Sequence, residues 1–543
     1  MGLFQTLKFA GLGNTGAGML SLAVMIQYGL LTGGSVSAMR AVCMFLLSVG
    51  AKILGRSYDL LTALALSAIL LLLDSPAYLY SSSFLLSFEA VVGLGAVSPY
   101  LLEITEAKKK LTKSLLSSFS VQLATLPVML VFFGEVSVAG ILLNLFVLPT
   151  VGGVLISGLI SCILGLFSLE AAVIAAMPGR ALLFLYEQSC ILAGKLPFCT
   201  WVGGLPEIWQ SLIYYGCLML ALVAAVRITR KQKKQGKQKT AKGMFHKIKA
   251  HTAVMLLFVI LAAGILVLSW KDRSGLRITC LDVGQGDGIV LEMPEGGAFL
   301  MDCGSSNQKN TGQYQLLPYL KSRGITSLDG IMVSHTDTDH ISGIRELLDF
   351  MAKGLSSVKA ETLILPEWED AGEEEYADLL ELAKQAGVNC IFAGEGDRLS
   401  FQDVEMRFLA PLENASGADA NEEGLVMELR YRAFRGLFTG DIGEETEREL
   451  IKKGLLSDVD FLKVAHHGSR YSTCEEFLEI VKPELAVISC SDSNTYGHPS
   501  PETIERLEKS GARIAYTMES GAVTVRTDGE GIHWMEPFRS AGF

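Results

Sequence analysis

Charged residues are scarce in this chain. Of its 543 residues only 19% are Asp, Glu, Lys or Arg, whereas 50% are hydrophobic, and the mean hydropathy is +0.37. Soluble domains carry about 25% charged residues, so a single soluble domain of this size is excluded. No C-x-x-C pair occurs among the ten cysteines, which argues against a zinc ribbon or a thioredoxin-like site.

Acidic residues are scarce in the first half only. Residues 1–270 contain 20 Lys and Arg against 9 Asp and Glu, which gives a net charge of +11. Residues 271–543 contain 26 against 48, which gives a net charge of −22. The two halves are therefore suited to different surroundings, and we predict a membrane part followed by an aqueous part.

The first half contains apolar runs close to the roughly 20 residues that a helix needs to cross a bilayer. The predicted spans are 15–33, 38–54, 58–75, 82–100, 114–133, 138–155, 156–176, 207–226 and 253–270. The stretch 178–196 carries three charges and is predicted to be an interfacial helix, because charges are costly in the bilayer. Segment 138–160, which contains Pro149, is either an ordinary kinked helix or a broken helix that lines a cavity.

Lys and Arg in the loops predict the orientation, because cytoplasmic loops are enriched in these residues. The loop 227–250 contains ten of them and no acidic residue, and four predicted spans separate it from the basic loop 101–113. Both loops are therefore expected on the cytoplasmic side, and one further span places residues 271–543 outside the cytoplasm. Nucleic-acid binding by the lysine run is the alternative, but the flanking spans favour a topological role.

The acidic half alternates strand-like with helix-like patterns and is long enough for one large domain. Strands are predicted at 276–283, 287–292, 298–302, 330–334, 362–365, 425–431, 436–439, 461–465 and 485–489. Helices are predicted at 313–323, 341–353, 374–386, 444–453, 474–481 and 501–510. This alternation predicts mixed α/β layers around a sheet.

The densest group of metal-binding side chains is the segment HTDTDH, in which His335, Asp337, Asp339 and His340 lie within six residues. It follows a predicted strand and precedes a predicted helix, so alternate side chains can serve neighbouring ions. A plain polar loop would rarely hold two His and two Asp so closely in a chain with only eight His. We therefore predict a metal site here.

Three further signals place a polar side chain directly after an apolar strand. Asp441 follows GLFTG, the pair His466 and His467 follows FLKVA, and His498 follows the strand 485–489 in the sequence YGHP. Singly, Asp441 could be a turn former and His498 a loop residue. Together they predict that the strand ends meet at one site.

At this point the sequence resembles the metallo-β-lactamase superfamily, whose H-x-[HD]-x-D-H motif and later Asp and His ligands it matches. The variant with Asp337, together with LDVGQGDG at 281–288 and VAHHGSR at 464–470, is similar to the DNA-internalisation competence family ComEC. The membrane half supports this resemblance through segments 30–41, 54–76 and 83–94, which are similar to the family's membrane-channel region. The resemblance covers nearly the whole chain.

The resemblance implies a polytopic α-helical membrane domain followed by an α/β metallo-β-lactamase-like domain, an αββα sandwich. The implied parts are a membrane channel at 1–226, a basic cytoplasmic loop at 227–250, a transmembrane helix at 253–270 and a hydrolase domain at 271–543. The implied partners are DNA, single-stranded in the channel, membrane lipid, and a competence DNA receptor and helicase.

Two departures from the family pattern bear on function. Members usually begin with membrane anchors and an extracytoplasmic OB-like DNA-binding domain, and neither precedes the first span here. In addition, no His lies between His340 and Asp441, where a third nitrogen ligand is expected, so Asn421 or water is predicted to take that place.

The residue types also predict the chemistry, since two ions can share one carboxylate, activate water and stabilise charge on a phosphodiester. The first ion is assigned to His335, Asp337 and Asp441, and the second to Asp339, His340, Asp441 and His498. The predicted catalytic residues are Asp339, His466 and His467. The oxygen-rich first set favours Mn²⁺, with Zn²⁺ as the alternative.

The remaining assignments keep alternatives open. One of the two adjacent histidines, His467 by preference, is a further ligand or a general acid, and the other orients it; a purely structural pair is the alternative. The turn Gly284–Asp287 is expected to be structural or to lie at the rim of the site.

The resemblance and the metal motif together favour DNA uptake in natural transformation, with metal-dependent degradation of one strand. Transport of the other strand through the membrane half is implied by the resemblance alone. The alternatives are a membrane-anchored metallohydrolase of another phosphodiester or ester, and a DNA channel with a non-catalytic metal domain. The net charge of −22 of residues 271–543 disfavours DNA binding by bulk charge, so bound metal and local basic residues would have to attract the phosphates.

Overall fold

The chain divides into two compact units, Met1–Trp270 and Lys271–Phe543, and each is taken by itself. The structure is a computed structural model. It describes residues 2–105, 107–196, 199–236, 255, 258–367, 373–412, 424–532 and 534–538. Asn421 and much of the basic loop, residues 237–250, lie outside the described residues, and so does the start of the predicted span 253–270 apart from residue 255.

The membrane unit is built from helices, as the apolar runs predict. The helices are α1 (Gly2–Phe9), α2 (Asn14–Leu31), α3 (Val36–Ile53), α4 (Leu60–Asp74), α5 (Ser82–Val92), α6 (Ser98–Thr105), α7 (Lys110–Phe133), α8 (Gly140–Gly165), α9 (Leu169–Gly194), α10 (Ile208–Gly236) and α11 (Phe258–Ser269). A π-helical turn joins α5 to α6 into one continuous apolar stretch. Two short strands, β1 (Glu135–Ser137) and β2 (Thr200–Val202), pair antiparallel.

Six of the described helices are long and apolar enough to span a bilayer, and three shorter apolar ones accompany them. The long ones are α3, α5 with α6, α7, α8, α9 and the part of α10 up to Arg230. The shorter ones are Thr15–Leu31 in α2, α4 and α11. The protein is therefore a multi-pass membrane protein.

The prediction was wrong between residues 138 and 196. Residues 140–165 form one helix rather than parts of two, and the stretch predicted to be interfacial lies inside α9. The helix boundary lies at Ser168, whose side chain accepts a hydrogen bond from the N–H of Ala171 and so caps α9. Four candidate spans still separate the two basic loops, so the argument for orientation is unchanged.

The alternative of a broken helix at 138–160 was also wrong, because α8 continues through Pro149. Small residues let α9 pack closely on α8: the hydroxyl of Ser157 donates to the carbonyl of Ala175, 2.6 Å away, and accepts from the N–H of Gly179. At its other end, α10 runs ten residues beyond the predicted boundary at 226.

The second unit contains two large twisted sheets. The first has the order β10 (Asn389–Ala393), β9 (Thr362–Pro366), β7 (Gly330–Met332), β5 (Ala298–Cys303), β4 (Gly288–Glu292), β3 (Leu276–Cys280), β18 (Ala522–Thr527) and β19 (Trp534–Phe538). The second has the order β11 (Arg398–Phe401), β12 (Val404–Ala410), β13 (Val426–Tyr431), β14 (Phe434–Phe438), β15 (Phe461–Lys463), β16 (Leu485–Ile488) and β17 (Arg513–Tyr516). The two-residue strands β6 (Ser327–Leu328) and β8 (Lys359–Ala360) form a separate pair.

Helices cover the outer face of each sheet, which gives four layers in the order α, β, β, α. The helices are α12 (Leu317–Arg323), α13 (Thr338–Ala352), α14 (Glu373–Ala386), α15 (Glu444–Lys452), α16 (Glu475–Val481), α17 (Pro501–Ser510) and the one-turn α18 (Thr517–Ser520). Apolar side chains of both sheets, such as Ile289 and Phe434, form the central core, and two further cores lie beneath the helices. The predicted mixed α/β fold is thus confirmed.

All nine predicted strands and all six predicted helices of this unit are present within the described ranges. The strands that were missed are the short pair β6 and β8 and the strands β10, β11, β12, β17, β18 and β19. The pattern in β10 and β11 is weak because both lie at sheet edges, where every second or third residue is exposed. By contrast, β12 alternates regularly between buried and half-buried residues, so its pattern was legible in the sequence.

Candidate metal centre

The first sheet brings three polar residues to one edge. Strands β5 and β7 are parallel, so Asp302 near the end of β5 and His335 just after β7 lie at the same edge. Strand β4 runs antiparallel to β5, and its beginning therefore places Asp287 at this edge too. All three side chains are buried.

The second sheet contributes side chains in the same way. Strands β14, β15 and β16 are parallel, and their carboxyl ends lie at one edge. Asp441 follows β14, His467 follows β15 and His498 follows β16. The first two are almost fully buried, whereas His498 is half-buried.

Two groups of possible ligands overlap at His340. The Nε2 atom of His340 lies 3.3 Å from Oδ2 of Asp441, and the rings of His335 and His340 are 4.0 Å apart. His467 Nε2 lies 3.3 Å from the same oxygen of Asp441 and 3.6 Å from Oδ2 of Asp339. Asp441 therefore faces imidazoles from both directions, which suits a carboxylate shared between two ions.

Three histidines present the same atom to this cluster. In His335, His340 and His467 the Nδ1 atom has a protein partner, whereas Nε2 is buried with no hydrogen-bond partner in the described part of the chain. The Nδ1 partners are the hydroxyl of Ser334, the carboxylate of Asp302 and the carbonyl of Ser489, respectively, at 3.0 Å each. One oxygen of Asp441 is likewise buried without a partner. Buried polar atoms usually have hydrogen-bond partners, so several unpaired ones in the same cluster indicate a missing ligand. The Nδ1 hydrogen bonds fix the three rings so that the Nε2 atoms can bind divalent metal ions.

The remaining predicted residues lie around this cluster. Asp337 begins α13 with its side chain 57% exposed and Oδ2 3.7 Å from His335 Nε2. The ring of His498 lies 5.5 Å from that of His466 and 6.4 Å from that of His467. His466 Nε2 lies 4.0 Å from Asp441. Among the described residues, the compact groups of possible ligands include neither Asp337, His466 nor His498.

Asp302, which the sequence analysis did not single out, orients two parts of the centre. Its Oδ1 accepts the backbone N–H of Ser334 at 2.7 Å, and its Oδ2 lies 3.0 Å from Nδ1 of His340. It therefore fixes both the motif strand and one imidazole ring. The sequence signal was present, because Asp302 ends an apolar strand as the predicted ligands do.

Asp287 was expected to be structural or to lie at the rim, but its carboxylate is buried beside His467. Its Oδ2 lies 2.7 Å from Nζ of the fully buried Lys463, and its Oδ1 lies 3.5 Å from Nδ1 of His467. The glycine before it explains the sequence pattern: a Cβ atom on Gly286 would overlap the carbonyl oxygens of Gly304 and Asp339. Because glycine has no Cβ atom, the turn at Gly286 can pack closely against these carbonyl groups, and this places the carboxylate of Asp287 inside the centre.

The carboxylates and imidazoles shift one another's pKa in the metal-free chain. Burial alone would lower the pKa of His340 and His467, but Asp441 and the other nearby carboxylates outweigh it and hold both pKa values well above the usual range. Burial likewise opposes ionisation of Asp441, yet the two imidazoles keep its pKa well below normal. Burial lowers the pKa of His335, and it lowers that of His498 to about 4.

Three residues of this centre have strained backbone conformations. Asp302, His466 and His467 have φ values of 54°, 48° and 54°, which lie in the left-handed region that non-glycine residues seldom adopt. Such conformations cost about 1–3 kcal/mol each and persist where the surrounding structure enforces them. The two adjacent histidines therefore project from a strained turn in different directions, one into the cluster and one toward its mouth.

We predict that Lys463→Met lowers the free energy of unfolding by about 3–5 kcal/mol, because it leaves Asp287 buried without its cation. The double variant Asp287→Asn/Lys463→Met should recover much of this loss, since no lone charge remains, yet bind metal about 10–100-fold more weakly than the unmodified chain. Denaturant unfolding and metal titration measure the two effects. Equal instability of the single and double variants would contradict the paired role.

Each half of the chain is similar to a known protein family. The family described as Competence protein matches residues 1–228, and the Metallo-beta-lactamase superfamily matches residues 281–492. ComE operon protein 3 of Bacillus subtilis (strain 168) is 27% identical over 538 residues, which cover 97% of this chain and 66% of that protein. Recombination protein 2 of Haemophilus influenzae is 30% identical over 268 residues, which cover 49% of this chain and 31% of that protein.

Among solved structures, the metallo-beta-lactamase fold protein YhfI from Bacillus subtilis is 11% identical with a TM-score of 0.32, covering 45% of this chain and 98% of that one. This chain spans about two thirds of the length of the Bacillus competence relative and about a third of the Haemophilus relative. Each family match falls within one of the two compact units. Residues 1–228 are thus similar to the Competence protein family, and residues 281–492 are similar to the Metallo-beta-lactamase superfamily.

Proposed function

We propose that this protein acts in DNA uptake: its membrane unit passes one DNA strand inward, and its second unit hydrolyses the other strand outside the cytoplasm. The observation that carries the proposal is the presence, in one chain, of a competence-family membrane segment and a cluster of unpaired buried His and Asp atoms. The names of the matched family, Competence protein, and of the relative Recombination protein 2 support DNA as the substrate class.

We propose that the centre holds two divalent ions and that Asp441 would be shared by both. His335 and Asp337 would hold one ion, Asp339 and His467 would hold the other, and His340 is close to both groups. This differs from the sequence-based assignment by adding His467 and by leaving His498 at the periphery. Carboxylate oxygens favour Mn²⁺, while three imidazoles keep Zn²⁺ as the alternative. When bound, such ions activate water and stabilise negative charge on a phosphodiester.

The residues of the chain supply the remaining steps. Asp302 and Ser489 orient the imidazoles of His340 and His467, so that their Nε2 atoms face the interior of the cluster, where they would hold the ions. His466, whose side chain is one third exposed, lies at the mouth within 4.0 Å of Asp441. It is suited to deliver a proton from Nε2 to the leaving oxygen as the phosphodiester bond breaks.

The rim of the centre favours a nucleic acid over a small ester. Tyr471 and Tyr496 are 71% and 62% exposed, and the ring of Tyr496 stacks on His498 with centroids 5.8 Å apart. The exposed Arg470 lies over the ring of Tyr471. Exposed aromatic rings with a nearby guanidinium bind unstacked bases and phosphates without sequence preference. These local groups offset the acidic charge of the domain near the metal centre.

The proposal is tested on the full chain purified in a neutral detergent. The metal-free chain is supplied with Mn²⁺, Zn²⁺ or Mg²⁺ and incubated with labelled single-stranded and double-stranded oligonucleotides, and with ester, lactam and cyclic phosphodiester substrates. We expect DNA cleavage that requires a divalent ion. Turnover of the small substrates alone would favour another metallohydrolase, and DNA binding without any cleavage would favour a non-catalytic metal domain.

The orientation yields a separate prediction. In a variant without the ten cysteines, a new Cys at Gln385 in the hydrolase unit should react with an impermeant maleimide on intact cells. A new Cys at Gly236, where α10 ends, should react only after permeabilisation, because the adjoining loop is rich in Lys. The reverse labelling pattern would overturn the proposed orientation.

A further inference from the structure

A second polar cavity lies in the hydrolase unit away from the metal centre. It has a volume of about 240 Å³ and is lined by the segment that opens this unit, by the end of β4 and by the end of α12. Along β4 it lies five residues from Asp287, at Glu292, which corresponds to roughly 16 Å of extended chain. The cavity is therefore separate from the proposed catalytic site.

Four arginines line this cavity against three acidic residues. Arg526, Arg277 and Glu292 are direct neighbours across β18, β3 and β4, so their side chains lie on the same face of the sheet. Arg323 extends from α12 toward these three side chains, and the exposed Arg273 lines the edge of the cavity. The cavity is thus positively charged although the domain as a whole has a net charge of −22, which indicates that the arginines are there to bind a negatively charged group.

Two of the three carboxylates in the cavity are already engaged by other arginines, and the third, Asp329, accepts the backbone N–H of Ala298. Both oxygens of Glu292 accept hydrogen bonds from Arg323, at 2.8–3.1 Å, and one also accepts from Tyr319. Asp272 accepts from Arg526 at 2.7 Å. These contacts leave the arginine in the middle of the row without a carboxylate of its own.

That arginine is Arg277. Its side chain is only 15% exposed, and its nearest carboxylate atom is 3.8 Å from Nε, beyond hydrogen-bond distance. No hydrogen bond from this guanidinium joins it to another described residue. Arg277 also lies directly opposite Arg526 across the strand pair, and repulsion between two like charges at such positions is destabilising. Arg277 is therefore a mostly buried guanidinium whose nearest carboxylate is hydrogen-bonded to Arg323, so its donors remain available to an anion.

We propose that this cavity binds a phosphate group, which Arg277 and Arg526 hold from the sheet and Arg273 from the mouth. The planar fork of a guanidinium matches phosphate oxygens in geometry and charge. The group has two possible sources, the headgroup of an anionic phospholipid or free phosphate. The position in the chain favours the headgroup, because Asp272 follows the apolar helix α11, which ends at Ser269, by only three residues.

The test uses the full chain in a neutral detergent, with EDTA present so that phosphate has no metal to bind. The thermal midpoint is measured against inorganic phosphate and, separately, against short-chain phosphatidylglycerol, with chloride and short-chain phosphatidylcholine as the matched solutes. We expect phosphate to raise the midpoint and phosphatidylglycerol to act at a lower concentration. A rise with phosphate alone supports the site with free phosphate as its source.

Variants make the result specific. Arg277→Gln should weaken phosphate binding at least about tenfold, since a charge-assisted contact is lost. Arg273→Gln, at an exposed position that folding tolerates, should weaken it less, and Arg513→Gln, an exposed arginine paired with Glu484 elsewhere, should not change it. The proposal is overturned if neither solute acts more strongly than its matched control. It is equally overturned if Arg273→Gln and Arg277→Gln both bind phosphate as the unmodified chain does, or if they lose only affinity for DNA.

Discussion

Asp441→Ala is expected to lower metal-dependent hydrolysis at least about 10³-fold, the largest loss of any single change in this chain. Its carboxylate oxygen lies 3.3 Å from the free nitrogens of both His340 and His467, so its removal affects both halves of the cluster at once. Losing this anion also leaves less negative charge to hold two cations close together. Metal content should therefore fall below that of the unmodified chain, together with the rate.

The control for this change is Asp458→Ala, which removes an 82% exposed carboxylate from the same unit. We expect Asp458→Ala to keep full metal content and activity. Asp337→Ala, which removes an exposed candidate ligand at the edge of the cluster, should lie between the two. Metal analysis, circular dichroism and cleavage rates are measured for all variants. Full activity with undiminished metal in a folded Asp441→Ala chain would show that the assigned centre is wrong.

The sequence was most informative where apolar strands end in polar residues. His335, His340 and Asp441 were predicted as ligands because they lie at or just beyond the ends of apolar strands, and the structure brings them together. Asp287 stands at the beginning of β4, in a turn that was expected to be structural or to lie at the rim. Only the antiparallel pairing of β4 shows that this beginning lies at the same edge. Whether two strands pair parallel or antiparallel depends on residues far apart in the chain, so the local sequence around Asp287 could not predict it.

Lys463 shows a second limit of the sequence. It interrupts an apolar strand and would ordinarily be expected to face solvent, since lysine is seldom fully buried unless paired. Its partner Asp287 lies 176 positions earlier, so the compensating charge is not visible locally. In the membrane unit the limit is different. No charged residue occurs from 140 to 165, and only the cap at Ser168 marks where one helix ends and the next begins.

Metal binding at pH 7 is expected to release about two protons, and affinity should rise up to about 100-fold per pH unit between pH 6 and 7. The raised pKa values of His340 and His467 mean that both imidazoles carry a proton in the metal-free chain at neutral pH. A metal ligand must be neutral imidazole, so binding displaces both protons. The dependence should vanish above the raised pKa values, where the protons have already left.

Calorimetric titration in two buffers of different ionisation enthalpy counts the released protons. The three histidines whose Nε2 atoms face the cluster should divide into two classes under this measurement. His335→Ala should weaken binding but leave the count near two, because the lowered pKa of His335 makes it neutral beforehand. His340→Ala should weaken binding and reduce the count to about one. Identical heats in both buffers, or an unchanged proton count in His340→Ala, would mean that these imidazoles do not exchange protons for metal. Either result would contradict the assignment of His340 and Asp441 as neighbouring ligands.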